Sequence, residues 1–197
     1  MKETILLTGF GPFGAHPRNV SGEAAQRLDG REFEGFRVRA IVLPVDFARA
    51  AQRLEEAWSE VKPSAVLCCG IHADADSGTY RLEVAARNAR SEALGADPEP
   101  TGGEALEPGG PPMVFSTLPT AAMRRALADA GFDVELSDDA GSYLCNAAFY
   151  WTARRVAPAG FVHVPPADAP DRVAQALELC LEATVARLLA ARVEATA

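Results

Sequence analysis

Cys145, His163 and Glu83 are the side chains of this chain whose types and surroundings can do chemistry together. Cys145 lies in Ala140-Gly-Ser-Tyr-Leu-Cys-Asn-Ala-Ala-Phe-Tyr150, where a Gly-Ser lead-in precedes a run that reads as helix through Arg155. Ser142 is the expected N-cap, because its hydroxyl can accept an otherwise unpaired N–H of the first turn. Cys145 then falls in that turn, where aligned peptide dipoles favour a thiolate. Downstream, Gly160-Phe-Val-His-Val-Pro-Pro166 reads as a short apolar strand carrying His163. An imidazole beside a thiol can take its proton and later return it to a leaving group. Glu83 is flanked by Leu82 and Val84, and a partly buried carboxylate is usually paired. It can pair with Arg81 or Arg87, or it can orient His163 and complete a nucleophile–base–orienter relay. Each residue taken alone also has a plain structural reading, as core filler or as one hydrogen-bonded strand histidine.

Two other patterns invite chemistry and carry it less well. Gly9-Phe-Gly-Pro-Phe-Gly14 fits the dinucleotide fingerprint and follows a strand. That fingerprint needs a helix to begin within the glycines. Pro12 and Pro17 interrupt it, and no acid closes the second strand to hold a ribose, so a nucleotide-binding α/β enzyme is a remote alternative. The loop 9–19 instead offers two aromatic faces, Phe10 and Phe13, and is expected to close over a ligand. In His72-Ala-Asp-Ala-Asp76, alternating nitrogen and oxygen donors can hold a metal. With three histidines in the chain, a His-rich zinc centre would also need His16 and His163. An acidic loop tip is the preferred reading, and no metal is expected.

The elements that position these residues alternate. Apolar runs at 4–8, 36–43, 64–69 and 160–164 read as buried strands, as do 80–88 and 132–136. Helical spacing follows at 20–28, at 46–61 with Asp46 as cap, at 120–130 with Thr120 as cap, and at 169–192. This alternation predicts an α/β fold, a mostly parallel twisted sheet covered by helices on both faces. Ligand sites in such sheets lie beyond the carboxyl ends of the strands, where 9–19, 70–78 and the Cys145 helix begin. The segment 91–112 is rich in Pro, Gly and acids and has no basic residue, which suggests an exposed irregular excursion.

A chain of 197 residues with 48% hydrophobic residues suits one domain with a sizeable core. Net charge −8 argues against nucleic acid or an anionic membrane as partner. No apolar run approaches the roughly 20 residues a spanning helix needs. The N-terminal apolar run is too short for a signal-peptide core, so the expected location is the cytoplasm. Cys68, Cys69 and Cys180 read as packing, and no spacing suggests a disulfide framework.

Several motifs carry a wider likeness. They are Thr8-Gly-Phe-Gly-Pro-Phe-Gly14, Asn19-Val-Ser21, Leu43-Pro-Val45, Glu83 with Asn88, Ser116-Thr-Leu-Pro119 and the Cys145 and His163 segments. In this order, over nearly the whole chain, they resemble the pyroglutamyl-peptidase I family of cysteine peptidases, also called pyrrolidone-carboxylate peptidases. The resemblance implies a single-domain α/β/α sandwich over 1–197 that hydrolyses an N-terminal pyroglutamyl residue from peptides. It implies Cys145 as nucleophile, forming a thioester acyl-enzyme, His163 as base and then acid, and Glu83 as the group holding the imidazole. Phe10, Phe13 and Tyr143 would line the lactam pocket. Ile71 stands where the family usually has a glutamine beside the ligand, with His72 next, and Ala93 falls where an arginine is expected. No cofactor is implied, and a homo-oligomer, dimer or tetramer, is. The competing readings are a hydrolase of another small or cyclic amide, and a relative that binds pyroglutamyl groups without turnover.

Overall fold

The computed structural model describes residues 2–13, 17–72, 78–91 and 104–196. In chain order the elements begin β1 (Glu3–Phe10), α1 (Val20–Arg27), β2 (Glu32–Phe33), β3 (Phe36–Leu43), α2 (Phe47–Val61) and β4 (Ala65–Ile71). They continue with β5 (Tyr80–Glu83), β6 (Ala85–Arg87), β7 (Met113–Phe115), α3 (Thr120–Asp129), β8 (Val134–Ser137), α4 (Leu144–Ala153), β9 (Ala159–Val164) and α5 (Pro170–Thr196). The main sheet has the order β2-β3-β1-β4-β9-β5-β8. Its β3, β1, β4 and β9 are parallel, β5 is parallel to β8, and β5 is antiparallel to β9.

The apolar run of β1 is buried on both faces: Ile5, Leu6 and Leu7 are all inaccessible. Strand side chains alternate between faces, so one sheet feeds two cores. Ile5, Leu7, Cys69 and Val162 pack against α1, α3 and α5. Leu6, Cys68 and Phe161 pack against α2 and α4. The result is the expected three-layer α/β/α sandwich. Along α5 the stripe Val173, Leu177, Leu181 and Val185 is buried.

The structure differs locally from the sequence reading. Residues 80–88 form two short strands in different sheets rather than one. The break is at Val84, whose N–H donates to Ser137 O and whose carbonyl accepts from Ser116 N. Asp46 caps α2, accepting from Arg49 N at 2.8 Å. Thr120 is the first residue of α3 and Pro119 holds its cap position, so the threonine cap expected there is absent. The part of 91–112 that is described is well tethered: the Asn88 side chain bonds Glu107 O and N, Tyr150 Oη donates to Pro111 O, and Arg154 pairs with Glu107 at 2.9 Å. Residues 92–103, including Ala93, lie outside the described residues. No helix among those described is long and apolar enough to cross a membrane.

Candidate active site

The sheet brings the acid and the imidazole together by register. Gly70 of β4 pairs with His163 of β9, and Glu83 of β5 pairs with Phe161. Because β5 runs against β9, Glu83 lies two residues deeper in the sheet than His163, on the same face. Its carboxylate reaches up, and His163 Nδ1 and Glu83 Oε1 stand 2.7 Å apart. The Glu83 side chain is wholly buried and that of His163 is 8% exposed. Arg81 and Arg87, the other candidates for Glu83, pair instead with Glu135 and Asp139. Glu83 Oε2 has no hydrogen-bond partner among the described residues. Burial works against a charged His163, but the Cys145 thiolate and then the Glu83 carboxylate outweigh it and hold the imidazole up at about 9.

Cys145 comes to this point from the other direction, on α4. A Cβ built on Gly70 would stand 2.8 Å from Cys145 Sγ, 2.9 Å from Phe161 Cζ and 3.3 Å from Phe10 Cδ2. The thiol therefore lies over Gly70, the β4 residue that pairs with His163, and the absent side chain leaves room for it. Cys145 is half-buried, whereas Cys68, Cys69 and Cys180 are buried. Burial pushes Cys68 up to about 11 and Cys180 up to about 12, and Cys69 well above its ordinary value. These three are poor nucleophiles.

The cap of α4 differs from expectation. Tyr143, not Ser142, holds the N-cap position and makes no side-chain cap hydrogen bond. The first bond inside the helix runs from Ala147 N to Tyr143 O, so the N–H groups of residues 144–146 have no intrahelical acceptor. The helix start is anchored sideways. Asn146 Oδ1 accepts from Arg87 N at 2.8 Å, and its Nδ2 donates to Arg87 O and Ala89 O, each at 2.9 Å. Ser91 N donates to Ser142 O at 2.8 Å. The segment after Glu83 is thus bonded on both sides of Cys145.

Aromatic walls stand beside the thiol. Tyr143 meets Phe47 edge-on at 5.4 Å between ring centroids, and the Arg90 guanidinium lies over the Phe47 ring, 5.4 Å from its centroid. Phe10 is only 3% exposed. A groove of about 870 Å³ runs past Phe13 and Tyr143, between 11–13, 42–45 and α2, and its walls stop short of Cys145 and His163. Ile71 is not gathered with these rings. It follows Gly70 by one residue, so it faces the α1/α3/α5 side and packs there.

The glycine-rich motif serves packing. Asn19 caps α1 through Ser21 N and also donates to Gly11 O. A Cβ on Gly9 would lie 2.4 Å from Ser21 O, so this glycine lets α1 cross β1 closely. The helix start that a dinucleotide would need is already occupied. His72 is buried, its ring 6.5 Å from that of His163. Asp74, Asp76, His16 and Gly14 lie outside the described residues. Gly70, Phe47 and Asn146 join the site without having been singled out by sequence. Strand alternation from Cys68 would have marked Gly70, and Asn146 directly follows the cysteine in its motif.

Residues 3–197 match the family described as pyroglutamyl peptidase. A pyrrolidone-carboxylate peptidase of Pseudomonas fluorescens strain SBW25 is 36% identical over 194 residues, covering 95% of this chain and 90% of that protein. A relative from Halalkalibacterium halodurans with the same name is 35% identical over 173 residues, covering 84% and 85%. Among solved structures, the pyrrolidone carboxyl peptidase from Thermococcus litoralis superposes with a TM-score of 0.84 at 27% identity, covering 95% of each chain. Pyroglutamyl peptidase I of Bacillus amyloliquefaciens gives 0.83 at 26% identity, covering 94% and 98%. With the motifs, the sandwich and a match over almost its full length, this chain belongs to the pyroglutamyl peptidase family, a family of cysteine peptidases.

Proposed function

We propose that the protein hydrolyses the bond after an N-terminal pyroglutamyl residue, using Cys145, His163 and Glu83 as a relay. The observation that carries this reading is the 2.7 Å contact of His163 Nδ1 with the buried Glu83, beneath a half-buried thiol seated over Gly70. His163 holds the proton released by Cys145, and Glu83 fixes the ring and stabilises its charged form. Sγ attacks the pyroglutamyl carbonyl carbon and forms a C–S bond. The N–H groups at the start of α4 face the developing oxyanion. As the C–N bond breaks, His163 gives its proton to the leaving amine. Water then attacks the thioester carbonyl as His163 takes up its proton, the C–S bond breaks, and pyroglutamic acid leaves with the Cys145 thiolate and the charged His163 restored. Phe13 and Tyr143 supply flat apolar walls for an uncharged lactam.

A panel of pyroglutamyl, prolyl and glutamyl reporter amides tests this reading. The pyroglutamyl amide should be cleaved well above the others. Cys145→Ala should abolish cleavage with an unchanged circular dichroism spectrum, while Cys180→Ala keeps turnover and loses stability. Residual cleavage by Cys145→Ala above a small fraction of the parent rate would remove Cys145 as nucleophile.

A further inference from the structure

The groove beside Tyr143 has a side that the lactam does not need. Helix α2 presents Arg49, Gln52, Arg53 and Glu56 along it, a spacing that keeps all four on one helix face. Glu56 is already engaged, with Gln52 Nε2 at 3.0 Å and Arg53 at 3.6 Å. Asp46 accepts from the Arg49 backbone as the helix cap. Among the described residues no ion pair takes the Arg49 guanidinium, which is exposed and faces the groove. In a chain of net charge −8, a cation left open in a concavity calls for an anionic ligand.

The groove also has a direction. Tyr143, two residues before Cys145, stands against Phe47 at the start of α2. From there the helix advances about 1.5 Å per residue, so Arg49 lies within about 3 Å along the axis and Arg53 within about 9 Å. An extended peptide advances about 3.3–3.6 Å per residue. Arg49 thus falls beside the first or second residue beyond a scissile bond held at the Tyr143 end.

Resting on the peptidase reading above, we propose that this groove binds the leaving part of the substrate, and that Arg49 recognises a carboxylate within its first two residues. The carboxylate is either an acidic side chain or the C-terminus of a very short peptide. The full chain would be assayed with pyroglutamyl-Glu-Ala amide against pyroglutamyl-Gln-Ala amide, and with pyroglutamyl-Ala as free acid against its amide. The first pair reads the side-chain source and the second the C-terminal source. An exposed pair of this kind favours the acidic member of at least one pair by about two- to fivefold in kcat/KM at low salt, fading as salt rises. Arg49→Gln should bring that ratio to unity and Arg49→Glu should invert it. Arg124→Gln on α3, in the opposite layer, should leave the ratio unchanged. Affinities of the same peptides for Cys145→Ala give the ratio without turnover, so failure of the chemistry and failure of the groove are read separately. Equal ratios in the parent and in Arg49→Gln, by turnover and by affinity, would overturn the proposal.

Discussion

His163 is held by opposed influences, and their balance is testable. Burial favours the neutral ring; Cys145 and Glu83 favour the charged one and prevail, placing its pKa at about 9. The folded value lies above the ordinary value near 6.5. The pair therefore stabilises the fold fully below pH of about 6.5, and that contribution is lost as pH rises through about 9. If the charged ring is the working form, kcat/KM should fall on an alkaline limb near pH 9. Glu83→Gln removes the carboxylate and should move that limb to lower pH. It also buries an amide N–H₂ where Oε2 now has no partner, at a cost of about 1–3 kcal/mol in a denaturant melt. An unmoved limb would take Glu83 out of the relay. Gly70 makes a second test. In Gly70→Ala the new methyl meets Sγ at 2.8 Å and Phe161 at 2.9 Å, so the thiol must turn away. Misplacement of this size should lower kcat/KM by about tenfold or more, and a Gly70→Ala enzyme with parental kcat/KM would refute the steric account.

Helix α4 is the element on which the site depends, and Asn146 is what fixes it sideways. Its three hydrogen bonds tie the helix start to 87–89, four to six residues after Glu83. Asn146→Ala strands Arg87 N and two carbonyls, and should destabilise by about 1–3 kcal/mol. Asn146→Asp sets a carboxylate oxygen against those carbonyls and should be worse. Because the substrate walls are elsewhere, kcat should fall more than KM, and alkylation of Cys145 by iodoacetamide should slow. Parallel losses of stability with kcat untouched would make Asn146 merely structural. Much at this scale is legible in the sequence. Helical spacing marks α2 and α5, apolar runs mark β1, β3, β4 and β9, and Asp46 announces its own cap. What periodicity misses is decided by partners distant in sequence. Val84 changes sheets because Ser137 and Ser116 claim its backbone. Pro119 and Tyr143 hold cap positions where local chemistry favours a hydroxyl. Ile71 counts as a ligand contact by its place in a motif, yet strand alternation turns it to the opposite face from Gly70.

At the scale of the whole molecule, alternation of strand and helix is enough to foresee a sandwich, and the order of strands is not. The placement of β5 between β9 and β8, antiparallel to the first, depends on contacts made 80 residues apart, such as Glu83 with His163. The sheet that results divides labour between its faces. Cys145, His163, Glu83 and Phe10 share the α2/α4 side, while the α1/α3/α5 side holds Tyr80, Leu82 and Val162 and none of the groups proposed to react. The proposed chemistry therefore hangs from one side of a wall whose other side, among the described residues, serves cohesion. Substitutions on that second side should therefore harden or soften the protein against heat while turnover holds, because a single layer of strands insulates the proposed relay from them.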